Sequence, residues 1–275
     1  MNGSIINASV TMNALQQRLD LLAENIANVN TAGYKRKQGT FEDLLTNAKQ
    51  QPEAFRKDGR IGPMGYNQGW GARFLQLGPD MTQGSLKETG TATDLAIEGN
   101  ALFQVAADGK TAYTRSGAFQ LTVRGNGDTI LATEAGYPVL GTRGGAGQPG
   151  PIVVPAGVTL QISGEGVVEG VHADGTRENL GQLSLASPAR PELLTPVEDN
   201  LFVVPDGLAA GDVLTAAAAG PDSGIAVRQG YVEQSNVNVV DEMTELLNVQ
   251  RAYQLSARAL TSADSMLGMA NNMRG

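Results

Sequence analysis

The sequence contains no cysteine, one tryptophan and one histidine in 275 residues. Without cysteine there is neither a disulfide framework nor a thiolate metal site. A His-based triad or an imidazole metal site would have to be built on His172 alone, which sits in a Gly-Val-His-Ala-Asp-Gly stretch that reads as a turn. Basic residues are outnumbered 20 to 28, for a formal net charge of −8. That balance argues against nucleic acid, whose phosphates call for a basic face. No apolar run approaches the roughly 20 residues of a membrane span. The N-terminus also lacks the basic patch and continuous apolar stretch of a cleaved secretory signal, so export is expected to leave it in place.

What the N-terminus does have is periodicity. Ile5, Ala8, Met12, Leu15, Leu19, Leu22, Ile26 and Val29 follow one another at alternating spacings of three and four, an a/d heptad seam. The positions between are mostly polar, and no proline interrupts them. The pattern predicts a helix over 4–28, about 38 Å long at 1.5 Å per residue. Asn28-Val29-Asn30-Thr31-Ala32-Gly33 supplies the stop, because Asn and Gly accept the left-handed conformation that closes a helix.

The last forty or so residues carry a second seam: Met243, Leu246, Tyr253, Ala257, Leu260 and Leu267, with Gln250 and Asp264 as polar interruptions and Leu247, Ala263 and Ala270 widening the stripe. Asn238 is placed to cap this helix, and Asp241, Glu242 and Glu245 suit the positive end of its dipole. The expected span is 239–271.

Residues 70–231 read differently: short apolar runs rich in Val and Thr, each ended by Gly or Asn. Asp94–Gly99 and Leu102–Val105 read as strands with a Gly-Asn turn between them, and strands continue through Ala118–Val123, Thr129–Ala132, Val158–Ile162, Gly166–Gly170, Leu180–Leu185 and Leu201–Val204. The Gly-rich stretch 141–151 reads as a loop. Residues 46–80 look extended, with Trp70 and Phe74 as anchors. The fold class expected is α+β: N- and C-terminal helices pairing as a coiled coil, with a β-rich central domain. The division expected is 1–45 for the first helix and its loop, 46–231 for the β-rich domain including the linker 46–80, and 232–275 for the second helix. Neither seam is satisfied alone, since an isolated helix of this kind is marginal in water. Packing against copies of the same chain is the expected solution, with the ends ordering on assembly.

The helix stop carries a resemblance. Asn25, Ile26, Ala27, Asn28, Thr31, Gly33, Tyr34 and Lys35 are similar to the N-terminal signature of the flagellar basal-body rod and hook protein family. Ser235 and Asn236 in Glu-Gln-Ser-Asn-Val, and Gln250, Arg251, Ala252 and Tyr253, are similar to its closing segment. "TDLAIEGNALFQV", "YTRSGAFQLTVRGNG" and "GYPVLG" resemble its β-domain core, although Ala101 and Leu102 stand where the family has Gly-Phe. The resemblance implies a structural subunit of the flagellar rod, self-assembling into a helical tube that transmits motor torque to the hook. Its length favours a rod subunit, the distal rod first, over the longer hook subunits. The resemblance further implies a homo-oligomer, contacts with other rod and hook proteins, passage through the flagellar type III export machinery, and a place in the basal body. No catalytic residue, cofactor, metal, nucleic acid or membrane insertion is implied.

Other readings are open at this stage. Gly164, Gly166 and Gly170 miss the dinucleotide fingerprint by one residue and read as turn glycines. Asn126 and Asp128 read as a hairpin turn rather than a calcium loop. Lys35, Arg36 and Lys37 read as a solvated or subunit-contacting face rather than a phosphate patch. A cell-wall hydrolase would need paired carboxylates such as Asp94 and Glu98. A secreted adhesin would not need apolar seams at both ends.

Overall fold

The computed structural model describes residues 2–43, 47–49, 66–68, 72–107, 109–124, 127–142, 149–221 and 223–272. Trp70, Asn126 and most of the Gly-rich stretch 141–151 lie outside them, as do the side chains of Ile5 and Leu267. The chain divides into two compact units. One gathers Met1–Ile26, Gln38–Leu77 and Val239–Gly275; the other gathers Ala27–Lys37 and Gly78–Asn238.

The first unit is built on two helices. The N-terminal helix runs Asn2–Ala27 and stops where the Asn-rich turn begins. The C-terminal helix runs Val239–Asn272, with Asp241 and Glu242 in its first turn against the positive end of the helix dipole. Both spans agree with the heptad periodicity to within two residues at each end. Two small ladders accompany them: Lys37–Asp43 pairs with Ala72–Pro79, and Asn47–Lys49 runs antiparallel to Tyr66–Gln68. Phe41 meets Phe74 edge to face at 5.5 Å, an aromatic pair that clasps the first ladder.

The second unit is predominantly β, with a single helical turn at Ala210–Val213 and two 3-10 turns at Pro191–Leu193 and Glu198–Asn200. A six-stranded sheet has the order Thr195–Val197, Leu201–Val203, Lys110–Thr114, Leu102–Ala107, Leu185–Pro188, Leu214–Ala217. A five-stranded sheet has the order Gly150–Pro151, Leu140–Thr142, Arg177–Leu183, Val167–Val171, Thr159–Ile162. A three-stranded sheet places Thr129–Thr133 between Val153–Val154 and Phe119–Val123. Phe103, Val105, Leu131, Val139 and Val168 are fully buried in the principal apolar cluster, where Phe103 and Phe119 pack edge to face at 5.1 Å.

Two short pairs close this unit with chain from beyond residue 220. Ala226–Gln229 pairs with Leu95–Glu98, and Tyr231–Glu233 with Leu86–Glu88. The strands on either side of Gly99-Asn100 therefore belong to different sheets and do not form a hairpin with each other. The run from Leu180 to Leu185 is likewise two strands. It breaks at Ser184, whose N–H donates to Leu140 O at 3.0 Å while its own carbonyl accepts from Gln104 N at 3.1 Å. One residue thus links the five- and six-stranded sheets, a non-local arrangement that apolar spacing alone does not display.

Candidate functional site

In the second unit, the turn after the N-terminal helix is knitted from its own side chains. Thr31 Oγ1 donates to Asn28 Oδ1 at 3.1 Å, and Tyr34 N–H donates to Thr31 O at 3.3 Å. Gly33 sits at φ +67, the left-handed region that favours glycine. A Cβ at Gly33 would stand 2.3 Å from Ser116 N, so the turn lies directly on the backbone of the Tyr-Thr-Arg-Ser block. Gly33 N–H donates to Glu233 O at 2.7 Å, and Arg36 N–H to Asn236 Oδ1 at 2.7 Å. The Asn236 amide in turn donates to the carbonyls of Asp80 and Thr82, both at 3.0 Å. Four segments far apart in sequence thus meet at one place.

At the centre of that place is one carboxylate. Glu233 is 1 % exposed. Its Oε1 accepts from Lys35 Nζ at 2.7 Å and from Gly84 N–H at 2.9 Å, and its Oε2 accepts from Arg115 Nε at 2.5 Å. Arg115 gives two further donors to the carbonyls of Ala101 and, at 2.8 Å, Ile97, while Lys35 also donates to Thr82 O at 2.7 Å. No buried side-chain nitrogen or oxygen lacks a hydrogen-bond partner among the described residues. A buried charge is tolerated only when it is paired and hydrogen-bonded in this way. Burial pulls the Lys35 ammonium below its ordinary value; the hydrogen bond and charge of Glu233 pull it back up, and Arg115 pushes it down. Lys35 is therefore not the solvated residue that its Lys-Arg-Lys context suggests.

In the first unit the helices run antiparallel. Asn25 Nδ2 donates to Glu242 Oε2 at 3.1 Å, and Arg18, two turns earlier, holds Glu245, one turn later. Arg18 also donates to Gly39 O at 2.9 Å, and its guanidinium lies 5.8 Å from the Phe74 ring centre. Leu15, Leu22 and Val249 form the buried apolar contact, flanked by Leu19, Leu246, Ala252 and Tyr253. Each buried leucine or valine of this kind contributes about 1.5–3 kcal/mol.

On the first seam, Leu15 and Leu22 are buried, while Ala8, Met12, Leu19, Ile26 and Val29 are half-buried. On the second, Leu246, Tyr253, Ala257 and Leu260 are half-buried, and Met243 is 50 % exposed. Among the motif residues, Asn25, Gly33, Tyr34 and Lys35 are buried, while Ala27, Gln250 and Arg251 are exposed. Sequence reading passed over Arg18, Arg115 and Val249, and assigned Glu242 to the helix dipole without its inward pairing to Asn25. Buried charges without local partners leave no periodic trace; Val249 lies on the inward face that the Met243 seam displaced.

The remaining candidate sites resolve into structure. His172 Nε2 lies 3.4 Å from Glu178 beside the turn that joins Val167–Val171 to Arg177–Leu183. Glu98 pairs with Arg228 at 2.8 Å. Asp128 O accepts from Arg124 N–H at 2.8 Å in the hairpin joining Phe119–Val123 to Thr129–Thr133. Gly166, at φ +75, closes a turn onto Ser163 O. A groove of about 410 Å³ along the N-terminal helix is lined by Gln17, Asp20, Leu21, Glu24, Phe74 and Gln76, a set without a nucleophile paired to a base. No described helix is long and apolar enough to cross a membrane.

Three known families match the chain. Residues 5–35 match the flagella basal body rod protein family, residues 96–170 the flagellar hook protein FlgE/F/G D1 domain, and residues 228–273 the flagellar basal body rod FlgEFG protein C-terminal family. The flagellar basal-body rod protein FlgG of Agrobacterium fabrum is 38 % identical over 265 residues, covering 94 % of both chains. That of Borreliella burgdorferi is 31 % identical over 280 residues, covering 100 % of this chain and 99 % of its own. The flagellar hook-basal body complex protein FlhP of Bacillus subtilis is 33 % identical over 282 residues, covering 98 % of this chain and 99 % of its own.

Proposed function

The chain belongs to the family of flagellar basal-body rod and hook proteins and is a structural subunit of the flagellar rod, and from that premise we propose that copies of it stack helically into a tube that carries motor torque toward the hook. Its place is the flagellar basal body. The observation that carries the assembly reading is a second apolar stripe on the C-terminal helix. Val240, Met243, Leu247, Leu255, Met266 and Met269 are all at least half exposed, on the side turned away from the buried Val249. Burying each contributes about 1.5–3 kcal/mol, and repetition along a helical array multiplies a modest contact into a stiff shaft. Two terminal helices already packed on each other still present this stripe, so sister subunits are its natural cover. In that array the terminal helices of neighbouring copies pack as a coiled-coil layer.

The position within the axis is the distal rod. Near-full-length likeness to relatives named for the rod supports this choice. Neighbouring rod and hook subunits are its partners, and the flagellar type III machinery is its export route. The role is mechanical, not enzymatic: its buried ionic groups are consumed in holding the fold.

Electron microscopy of basal bodies from cells lacking this protein tests the reading. The proposal requires the axis to stop short within the rod. An intact rod that lacks only its hook, or a complete axis, would refute it.

A further inference from the structure

Over its first three turns the C-terminal helix faces against its own hydrophobicity. Glu242 is 1 % exposed and Glu245 lies against Arg18, whereas Val240, Met243 and Leu247 are 71, 50 and 53 % exposed. Successive positions on an α-helix are about 100° apart. A turn of roughly that size would bring Met243 and Leu247 toward the N-terminal helix and place both carboxylates in water. Within these three turns apolar burial alone favours that rotation, even though it would turn Val249 outward.

We infer that Asn25 and Arg18 are rotational selectors: they hold Glu242 and Glu245 inward and thereby hold the apolar stripe outward for a second copy of the chain. The use made of the stripe rests on the assembly reading above; the geometry does not. Asn25 is fully buried, and its side-chain amide donates to Glu242 at 3.1 Å. Arg18 Nε donates to Glu245 at 3.1 Å, while Arg18 is itself anchored on Gly39 O at 2.9 Å. These groups add little adhesion, because each is as well solvated in water as in its pair. What they supply is discrimination. In the alternative rotation Asn25 and Arg18 would face methionine and leucine and lose their carboxylate acceptors, so less of their desolvation would be compensated. A polar group inside a helix pair sets its geometry at the expense of its strength, as a single asparagine does in a coiled coil.

The absence of cysteine makes the test direct. Met243→Cys and Val249→Cys are made singly in the full-length unassembled subunit, and maleimide labelling rates are compared. The Met243→Cys thiol is expected to react at least about ten-fold faster, since a thiol in the helix contact reacts only through local opening. In the Arg18→Leu/Asn25→Leu background that ratio is expected to fall to one or below, with helix content by circular dichroism retained. Glu242→Gln/Glu245→Gln, which preserves acceptors for Asn25 and Arg18, is expected to keep the original ratio. An unchanged ratio in the Leu/Leu background overturns the inference. Loss of helix content there also overturns it, because the pairs would then serve adhesion. Basal bodies from cells carrying Arg18→Leu/Asn25→Leu separate the two readings. An inverted labelling ratio with a normal axis leaves the rotation standing and removes the assembly role of the stripe.

Discussion

The Lys35 ammonium lies 2.7 Å from the Glu233 carboxylate across 198 residues of sequence, with both side chains 1 % exposed. Arg115 shares the same carboxylate. The turn after the N-terminal helix is thereby joined to the strand Tyr231–Glu233 that precedes the C-terminal helix.

This arrangement makes Glu233 the member whose loss costs most. Glu233→Ala would leave two cations facing each other with no anion between them. Removing one partner of a buried pair typically costs 3–5 kcal/mol, and a destabilisation of about that size is expected. Lys35→Met leaves Glu233 with Arg115 and Gly84 N–H and is expected to cost less. Urea unfolding of the purified subunit gives both values; the reverse order would show that Lys35, not Glu233, organises the cluster.

The Lys35 ammonium also sets a pH dependence. Burial lowers its value from 10.5, more than Glu233 restores it. Between the depressed folded value and 10.5 the unfolded chain binds more protons than the folded one, so stability rises with pH across that window. Below the window the folded chain carries the full penalty of a buried charge. The melting temperature of the native chain minus that of Lys35→Met is therefore expected to climb through the alkaline range and level off near 10.5. A flat or falling difference would contradict the assignment.

Gly33 offers an independent probe of the same joint. At φ +67, with a Cβ position 2.3 Å from Ser116 N, it has neither the conformation nor the room for a side chain. Gly33→Ala is expected to destabilise by roughly 2–4 kcal/mol, combining left-handed strain with a displaced backbone. Gly109, also at positive φ but with open space beside it, should lose only the strain part, about 1 kcal/mol. Thermal unfolding of the two alanine variants distinguishes them; equal losses would mean that the contact with Ser116 carries no weight.

The elements were legible in sequence because their signals are local. Heptad spacing located both helices, and glycine punctuation located most strands of the β-rich unit. What sequence could not display is pairing at long range. Leu95–Glu98 finds its neighbour in Ala226–Gln229, and nothing near residue 95 announces that. The C-terminal seam shows the same limit in sharper form. Its most apolar register runs through Met243, yet the inward face runs through Glu242 and Val249, because Asn25 and Arg18 wait on the opposite helix to receive carboxylates. A rule that places the greasier face inside assumes an apolar partner surface, and here that surface is partly polar.

The exposed stripe gives the prediction that bears most directly on assembly. Met243 and Leu247 are each about half exposed, so Met243→Glu/Leu247→Glu removes little buried area from the isolated subunit. Its unfolding free energy is expected to stay within about 0.5 kcal/mol of the native chain per substitution, as for surface changes in general. In an assembled shaft the same two carboxylates would be pressed against a neighbour at every repeat, each desolvated without a partner. Cells carrying the double variant are therefore expected to produce a folded subunit but no complete axis, and to be non-motile. Normal swimming by those cells would show that sister subunits do not cover this face. Lysine in place of glutamate should give the same outcome, because the penalty comes from burying an unpaired charge and not from its sign.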